Sequence, residues 1–501
     1  MDILSQQPRS RAKPEFQAII LSGLGTRLGP LIESHGDDPT PKALLPINNK
    51  PMVSYCLSWL EEADIKEALI VCPPKHVSGL TDHIQATSPI LKVEIHAYDS
   101  ESEESTSTVA ILKKISSRIQ TDFIVLSCDF VPPPNLNLNR LLNLWRADVC
   151  EMIMAGLLYE ATEEAQKRKD EPLPTTTFNG PLLLGVSYDT KPDIQIPMHL
   201  FTKFGRCRMS SRLADSHVYI FRRSVLDLLP IVPELKSIKK DLIPFLCSLQ
   251  YSRTKRKRYA DILIPPEKPT TANNVQDKGS INLLTAFQYS TTQKLEFQTT
   301  KTQPRSRTPT APVQTGWEEE EESNAESAHS DLEEDDPTFV PSLKCGLLLH
   351  RDGMCGRAFS MASYKELNQL LLKATVSEPK RIRDGVDAKA QVSANSSWST
   401  FSRLGEGSAV ASSAVGQHCV IGANVKIINS VVMEHVEIGD GVKVENCILS
   451  RHTKIGDKAE LKDCESVPGA EIPAGASFKG VRLTSKMSMK TTSSDEEDEE
   501  D

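Results

Sequence analysis

LGEGSAVASSAVGQHCV (404–420), IGANVKIINSVVMEHVE (421–437), IGDGVKVENCILSRHTK (438–454) and IGDKAELKDCESVPGAE (455–471) stack as four rows of seventeen residues. Leu404, Ile421, Ile438 and Ile455 head these rows, each followed by glycine, and Ile472 heads a fifth. Two further aliphatic columns keep the same register: Val410, Ile427, Val444 and Leu461, then Phe478; and Val415, Val432 and Leu449. A constant period of this kind marks a solenoid, in which short strands turn each column inward once per coil and stack the rungs about 4.8 Å apart. Asn429, Asn446 and Asp463 share a column, and these residue types accept the left-handed backbone of a corner. The nine residues from Leu404 to Ile472 and from Val410 to Leu461 are therefore the expected core.

The pattern resembles the hexapeptide repeat of left-handed parallel β-helices, with each coil one residue short of three hexapeptides. One corner is expected to be tighter. A stack of such coils leaves flat faces and an end rung available for subunit contacts. Two side columns carry reactive groups. His418, His435 and His452 form one ladder and Cys447 and Cys464 sit on adjacent rungs. The histidines read as an exposed corner column. A metal site or a hexapeptide acyltransferase centre using His435 is the competing reading, but no ligand set lies nearby in sequence. The cysteines are expected to stay reduced.

Upstream of the repeat, apolar strands alternate with helices. FQAIIL (16–21), ALIVC (68–72), VEIHAY (93–98) and DFIVLSC (122–128) read as strands, with helices opening at Pro51 and running from Thr108 to about Ile119. This order predicts a mostly parallel sheet with helices on both faces. The first strand runs straight into SGLGTRLGP (22–30), whose backbone N–H groups can cradle a phosphate and whose Arg27 can pair with one. PTPKALLPI (39–47) follows and brings Lys42 into the same region.

Together these segments resemble the signature of sugar-1-phosphate nucleotidyltransferases, over roughly the first half of the chain. By that resemblance Gly23, Gly25, Thr26, Arg27 and Lys42 match nucleotide-holding positions, and Asp129 matches a magnesium-binding one. The departures are chemical. Leu24 and Cys128 stand where glycines are usual, 33–38 reads as an insertion, and the segment that should approach the base is ESEESTSTVA (101–110), acidic and without glycine. Acids there repel a triphosphate and side chains crowd a base. Catalysis is therefore not expected, and no catalytic or metal residue is assigned. No cofactor is expected beyond weak nucleotide or magnesium binding at this remnant; the alternative is a retained turn, a surface cation and a strand-end cap with no ligand at all.

An eroded nucleotidyltransferase-like domain followed by a left-handed β-helix resembles the gamma-subunit family of eukaryotic translation initiation factor 2B. TDFIVLSCDFV (121–131), SHVYIF (216–221) and SIKKDLIPFL (237–246) carry the likeness. The resemblance implies a non-catalytic subunit of the guanine-nucleotide exchange factor for initiation factor 2, paired with a catalytic epsilon subunit and other subunits of that complex. An active mannose-1-phosphate guanylyltransferase, with both domains in the same order, is the alternative.

The expected layout is a nucleotidyltransferase-like domain (14–290), a disordered acidic linker (291–341), a connecting segment with an amphipathic helix around Tyr364–Leu372 (342–400), the β-helix (401–484) and an acidic disordered tail (485–501). The net charge of −9 comes from two runs, eleven acids between Glu318 and Asp336 and seven between Asp495 and Asp501, neither holding Lys or Arg. Without them the chain is mildly basic. Such runs stay solvated, or dock to a basic partner segment. KRKR (255–258) reads as a solvated loop, with a nuclear address or RNA contact as the minor reading, and no direct nucleic-acid partner is expected. Eleven scattered cysteines, no apolar leader in MDILSQQPRSRAK and no long apolar run point to a reducing cytosol and no membrane partner.

Overall fold

Phe16–Leu21 (β1), a run of apolar residues, lies at the heart of a ten-stranded sheet. The computed structural model describes residues 14–33, 40–87, 89–98, 107–168, 173–188, 196–264, 342–351, 355–374, 385–399 and 401–484. In chain order the sheet continues with Glu67–Cys72 (β2), Lys92–Ala97 (β3), Asp122–Ser127 (β4), Met152–Glu160 (β5), Thr175–Asn179 (β6), Leu182–Ser187 (β7), Arg208–Ser210 (β8), Leu213–Phe221 (β9) and Lys344–His350 (β10). Their spatial order is β8-β6-β7-β10-β5-β9-β4-β1-β2-β3. The block β3-β2-β1-β4 is wholly parallel. Antiparallel pairing begins where β9 joins β4, so the sheet as a whole is mixed. Buried on both faces, β1 and β4 need the continuous apolar character their sequences show.

Five helices matter below: Met52–Glu62 (α1), Thr108–Ile115 (α2), Met198–Lys203 (α3), Arg253–Leu263 (α4) and Met361–Ala374 (α5). Pro51 precedes α1, which buries Val53, Cys56, Leu57 and Leu60 as its spacing predicts. Trp59 on the same helix donates its indole N–H to the Leu136 carbonyl at 2.7 Å. Ser107 caps α2 by accepting from the Ala110 N–H. α2 ends at Ile115 and passes into a single 3₁₀ turn, so the helix is shorter than its sequence suggests.

The chain layout differs from the sequence reading at two points. Residues 342–374, read as a connector, complete the first domain: β10 enters the sheet between β7 and β5, and α5 packs Tyr364 and Leu367 against Leu28, Leu45, Ile47 and Met52. Cys345 and Leu347 are buried there, and a strand flanked on both sides needs that apolar content. The solenoid also begins earlier than residue 401, because Gln391–Val392 and Ser397–Trp398 pair in register with the coil that follows. The 291–341 linker and the 485–501 tail lie outside the described residues.

From there the chain is a left-handed parallel β-helix whose three sheets hold six, six and five short strands. Leu404, Ile421, Ile438, Ile455 and Ile472 form one buried column, and Val410, Ile427, Val444 and Leu461 another. Left-handed backbone recurs at three corner columns: Phe401, His418, His435, His452 and Gly469; Gly407, Asn424, Gly441, Lys458 and Gly475; and Ser412, Asn429, Asn446, Asp463 and Gly480. The spacing from one corner to the next is therefore six, five and six residues. The missing residue comes out of one side of the coil, not out of a tighter corner. The glycine that follows each row head is required by close stacking: a Cβ on Gly405 would sit 2.6 Å from the Gly422 carbonyl carbon of the next coil.

One sheet of the solenoid packs on the first domain. Val431, Met433 and Ile448 join Leu28, Leu31, Leu45, Ile47, Met52, Tyr364 and Leu367 in a shared apolar cluster. Polar contacts fix the register. Asn49 donates to the Val415 carbonyl at 2.9 Å and Lys365 to the Asn446 carbonyl at 2.6 Å.

Candidate functional site

The loop after β1 and the turn after β4 both lie at the carboxyl ends of parallel strands, where open α/β sheets form their clefts. A cleft of about 730 Å³ opens there. Gly25, Thr26, Arg27 and Lys42 line it, as do Tyr159 and Asp215 from the sheet, Lys239 from the helical turn Ile238–Leu242, and Arg357 and Glu366 from the 342–374 segment. Gly25 has φ +78°, and a Cβ on it would press within 3.1 Å of the Lys42 side chain. The glycine thus does two jobs, allowing the turn and leaving room for the lysine. Gly23 is exposed and does not reach the cleft lining.

Asp129 is fully buried beneath two of these lining residues, Lys42 and Arg357. Lys42 Nζ lies 2.5 Å from its Oδ2, Arg357 Nε 2.9 Å from Oδ1, and Arg357 Nη2 3.0 Å from Oδ2. Burial alone would raise the Asp129 carboxyl; Arg357 and Lys42 outweigh it and hold the group well below the usual carboxylate range. Burial likewise disfavours the Arg357 charge, yet Asp129 keeps its guanidinium more strongly protonated than usual. A short antiparallel pairing of Gly356–Arg357 with Phe130–Val131 delivers the arginine. The N–H of Ala358 donates to the Asp129 carbonyl, so backbone and side chain lock the same turn.

A magnesium ion at Asp129, which the nucleotidyltransferase resemblance implies, does not fit this arrangement. Both carboxylate oxygens already accept charge-assisted bonds from two cations. A metal would have to expel a buried guanidinium and leave it uncompensated, which costs several kcal/mol. Among the described residues no group of three His, Cys, Asp or Glu side chains forms a metal-holding set.

A second buried carboxylate, Asp215, borders the same cleft. It accepts from the Tyr188 hydroxyl at 2.7 Å, from the Tyr219 hydroxyl and from the backbone N–H of His217 at 3.0 Å. His217 has φ +55°, and burial together with the Arg357 charge pushes its imidazole down to about 3. Its ring is thus neutral at physiological pH. Lys239 lies 4.5 Å from the centre of the Tyr188 ring.

Of the six positions expected from sequence, Gly25, Thr26, Arg27 and Lys42 line the cleft, Asp129 is buried against Lys42 and Arg357, and Gly23 does not reach it. Sequence reasoning missed Arg357, Asp215, Tyr188 and Lys239. Arg357 stands 228 residues beyond its partner Asp129 with no motif around it. The segment 101–106, read as the degraded base-binding stretch, and residues 34–38 of the insertion lie outside the described residues.

The histidine ladder is a stack of rings. Phe401, His418, His435 and His452 follow at centroid distances of 5.3, 5.0 and 4.9 Å with interplanar angles of 4–7°. Parallel rings so spaced cannot turn their nitrogens onto one ion. Cys447 and Cys464 are buried free thiols. KRKR is not in a loop: it lies within α4, whose N-terminus Ser252 caps.

A nucleotidyltransferase-type α/β domain carrying a left-handed parallel β-helix defines the class. Residues 17–166 match the nucleotidyl transferase family, and residues 391–492 match the GMPPB C-terminal domain. The chain is 32% identical over 255 residues to translation initiation factor eIF2B subunit gamma of Schizosaccharomyces pombe, covering 48% of this chain and 53% of that protein. It is 27% identical over 294 residues to the Caenorhabditis elegans gamma subunit, covering 56% and 70%. Against eIF2B subunit epsilon of Dictyostelium discoideum it is 25% identical over 211 residues, covering 40% and 29%. The chain thus aligns with about half the length of the S. pombe protein. These similarities identify it as a relative of the eIF2B gamma subunits.

Proposed function

We propose that the chain is a non-catalytic subunit of the guanine-nucleotide exchange factor for translation initiation factor 2, working beside the epsilon subunit and the other subunits of that complex in the cytosol. The observation that carries this reading is the engagement of Asp129 by Lys42 and Arg357. Nucleotidyl transfer depends on charge placed where the transition state develops it, and a carboxylate held by two protein cations cannot also present a metal there. What remains is a rigid platform: a sheet braced by β10, and a solenoid with two sheets turned away from the first domain. Such faces suit subunit contacts. No helix among the described residues is long and apolar enough to cross a membrane.

Affinity purification of the tagged chain from cell extract at moderate salt tests the subunit role. Stoichiometric recovery with an epsilon-type subunit is expected; a chain that runs alone would sink the idea. The match of residues 391–492 to the GMPPB C-terminal domain favours one other reading, an active mannose-1-phosphate guanylyltransferase. Pyrophosphate release from GTP and mannose 1-phosphate, lost on Asp129→Asn, would establish it.

A further inference from the structure

The KRKR run acquires a setting in the fold that its sequence did not disclose. α4 carries Arg253, Lys255, Arg256, Lys257 and Arg258 within eleven residues, against a single acid, Asp261. Its N-terminal turn abuts α3. Lys203 of α3 and Arg256 of α4 converge on one acceptor, donating to the Gln250 carbonyl at 2.5 and 3.3 Å. No carboxylate among the described residues lies within ion-pair distance of Lys203, Arg253, Arg256 or Lys257. The buried Nε of Arg256 has no hydrogen-bond partner. Burial and the neighbouring Arg253 charge lower the Arg256 proton affinity; burial and Arg256 do the same to Lys203, against a weaker opposing pull from Glu151.

Like charges held together without a counter-charge among the described residues cost stability, so the arrangement calls for an anion. Planar groups lie beside the cations: the rings of His199, one turn from Lys203 on α3, and Tyr251, next to Gln250, lie 5.2 Å apart, with His199 exposed.

We propose that the α3–α4 surface is a binding site for single-stranded RNA. Phosphates would fall on Lys203, Arg253, Arg256 and Lys257, and bases on the His199–Tyr251 pair. Cations interleaved with planar rings satisfy both faces of a nucleotide strand. An acidic peptide would use the charges and leave the rings idle. RNA is therefore the occupant the chemistry favours, in place of the expectation of no nucleic-acid partner. The inference does not depend on the subunit role.

The test uses the full chain and a fluorescein-labelled oligouridylate of about twenty nucleotides, followed by anisotropy across a salt series. Binding is expected to weaken with salt by a log–log slope near 0.7 per phosphate held. Arg253→Glu with Lys257→Glu, both on exposed side chains, should weaken it at least tenfold and flatten that slope, with unchanged circular dichroism. Tyr251→Leu should weaken it a few-fold at an unchanged slope. RNA binding by the charge-reversed variant equal to wild type would overturn the proposal, as would no binding at low salt. So would polyglutamate that binds as tightly as the RNA, which would make the surface an acidic-peptide site.

Discussion

The solenoid and the cleft bury their key residues by opposite means. In the solenoid a position is repeated every coil, so Ile438 is supported by Ile421 below and Ile455 above, each the same kind of residue in the same register. In the cleft Asp129 occurs once and is held by two side chains from separate parts of the chain, Lys42 and Arg357. Repetition spreads stability over neighbours. Convergence concentrates it on single atoms, where the loss of one partner leaves a charge with no alternative.

The largest effect should come from breaking the convergent half. Arg357→Met strips Asp129 of its bidentate partner and should cost about 4 kcal/mol, seen as a drop in the urea midpoint of the first domain. Next comes a break in the middle of the repeat. Ile438→Ala removes a side chain that is 3% exposed and should cost about 3 kcal/mol, whereas Ile472→Ala in the last row should cost clearly less, because it is stacked only on Ile455. Equal losses at the two positions would contradict the nearest-neighbour picture of the solenoid.

How much of each region was legible follows from the same contrast. The five row heads, the Gly that follows the first four and the Asn429–Asn446–Asp463 corner could be read directly, since a period multiplies every signal. The first domain's parallel strands were legible from apolar runs, as were α1 and α5 from their spacing. β10 and Arg357 were not. KCGLLLH (344–350) follows a composition shift that separates it from the sheet it completes, and a lone arginine after a glycine carries no signal until pairing with Phe130–Val131 brings it to Asp129. The KRKR run was misread for a related reason: charge alone does not reveal whether a helix presents it.

A smaller effect separates the regions by pH. His217 is half-buried and neutral, with its imidazole pushed down to about 3, whereas in the unfolded chain it titrates at its ordinary value. The unfolded state therefore binds the extra proton first. Stability from this group is complete above the unfolded value and falls as pH drops from about 6.5 towards 3, by at most about 1.4 kcal/mol per pH unit. His217→Asn, which tolerates the positive φ, should flatten that slope in urea titrations between pH 6 and pH 4, values chosen inside the window of about 3 to 6.5. The exposed ladder supplies the smallest effect. His435→Asn keeps a residue suited to the left-handed corner and should change stability by less than about 0.5 kcal/mol.

The central claim is that protein cations occupy the carboxylate a nucleotidyltransferase would give to its metal. Electron paramagnetic resonance of the wild-type chain titrated with Mn²⁺, beside Asp129→Asn, tests it most directly. The expected result is that the two proteins deplete free Mn²⁺ equally; a stoichiometric Mn²⁺ site in wild type that disappears in Asp129→Asn would contradict it.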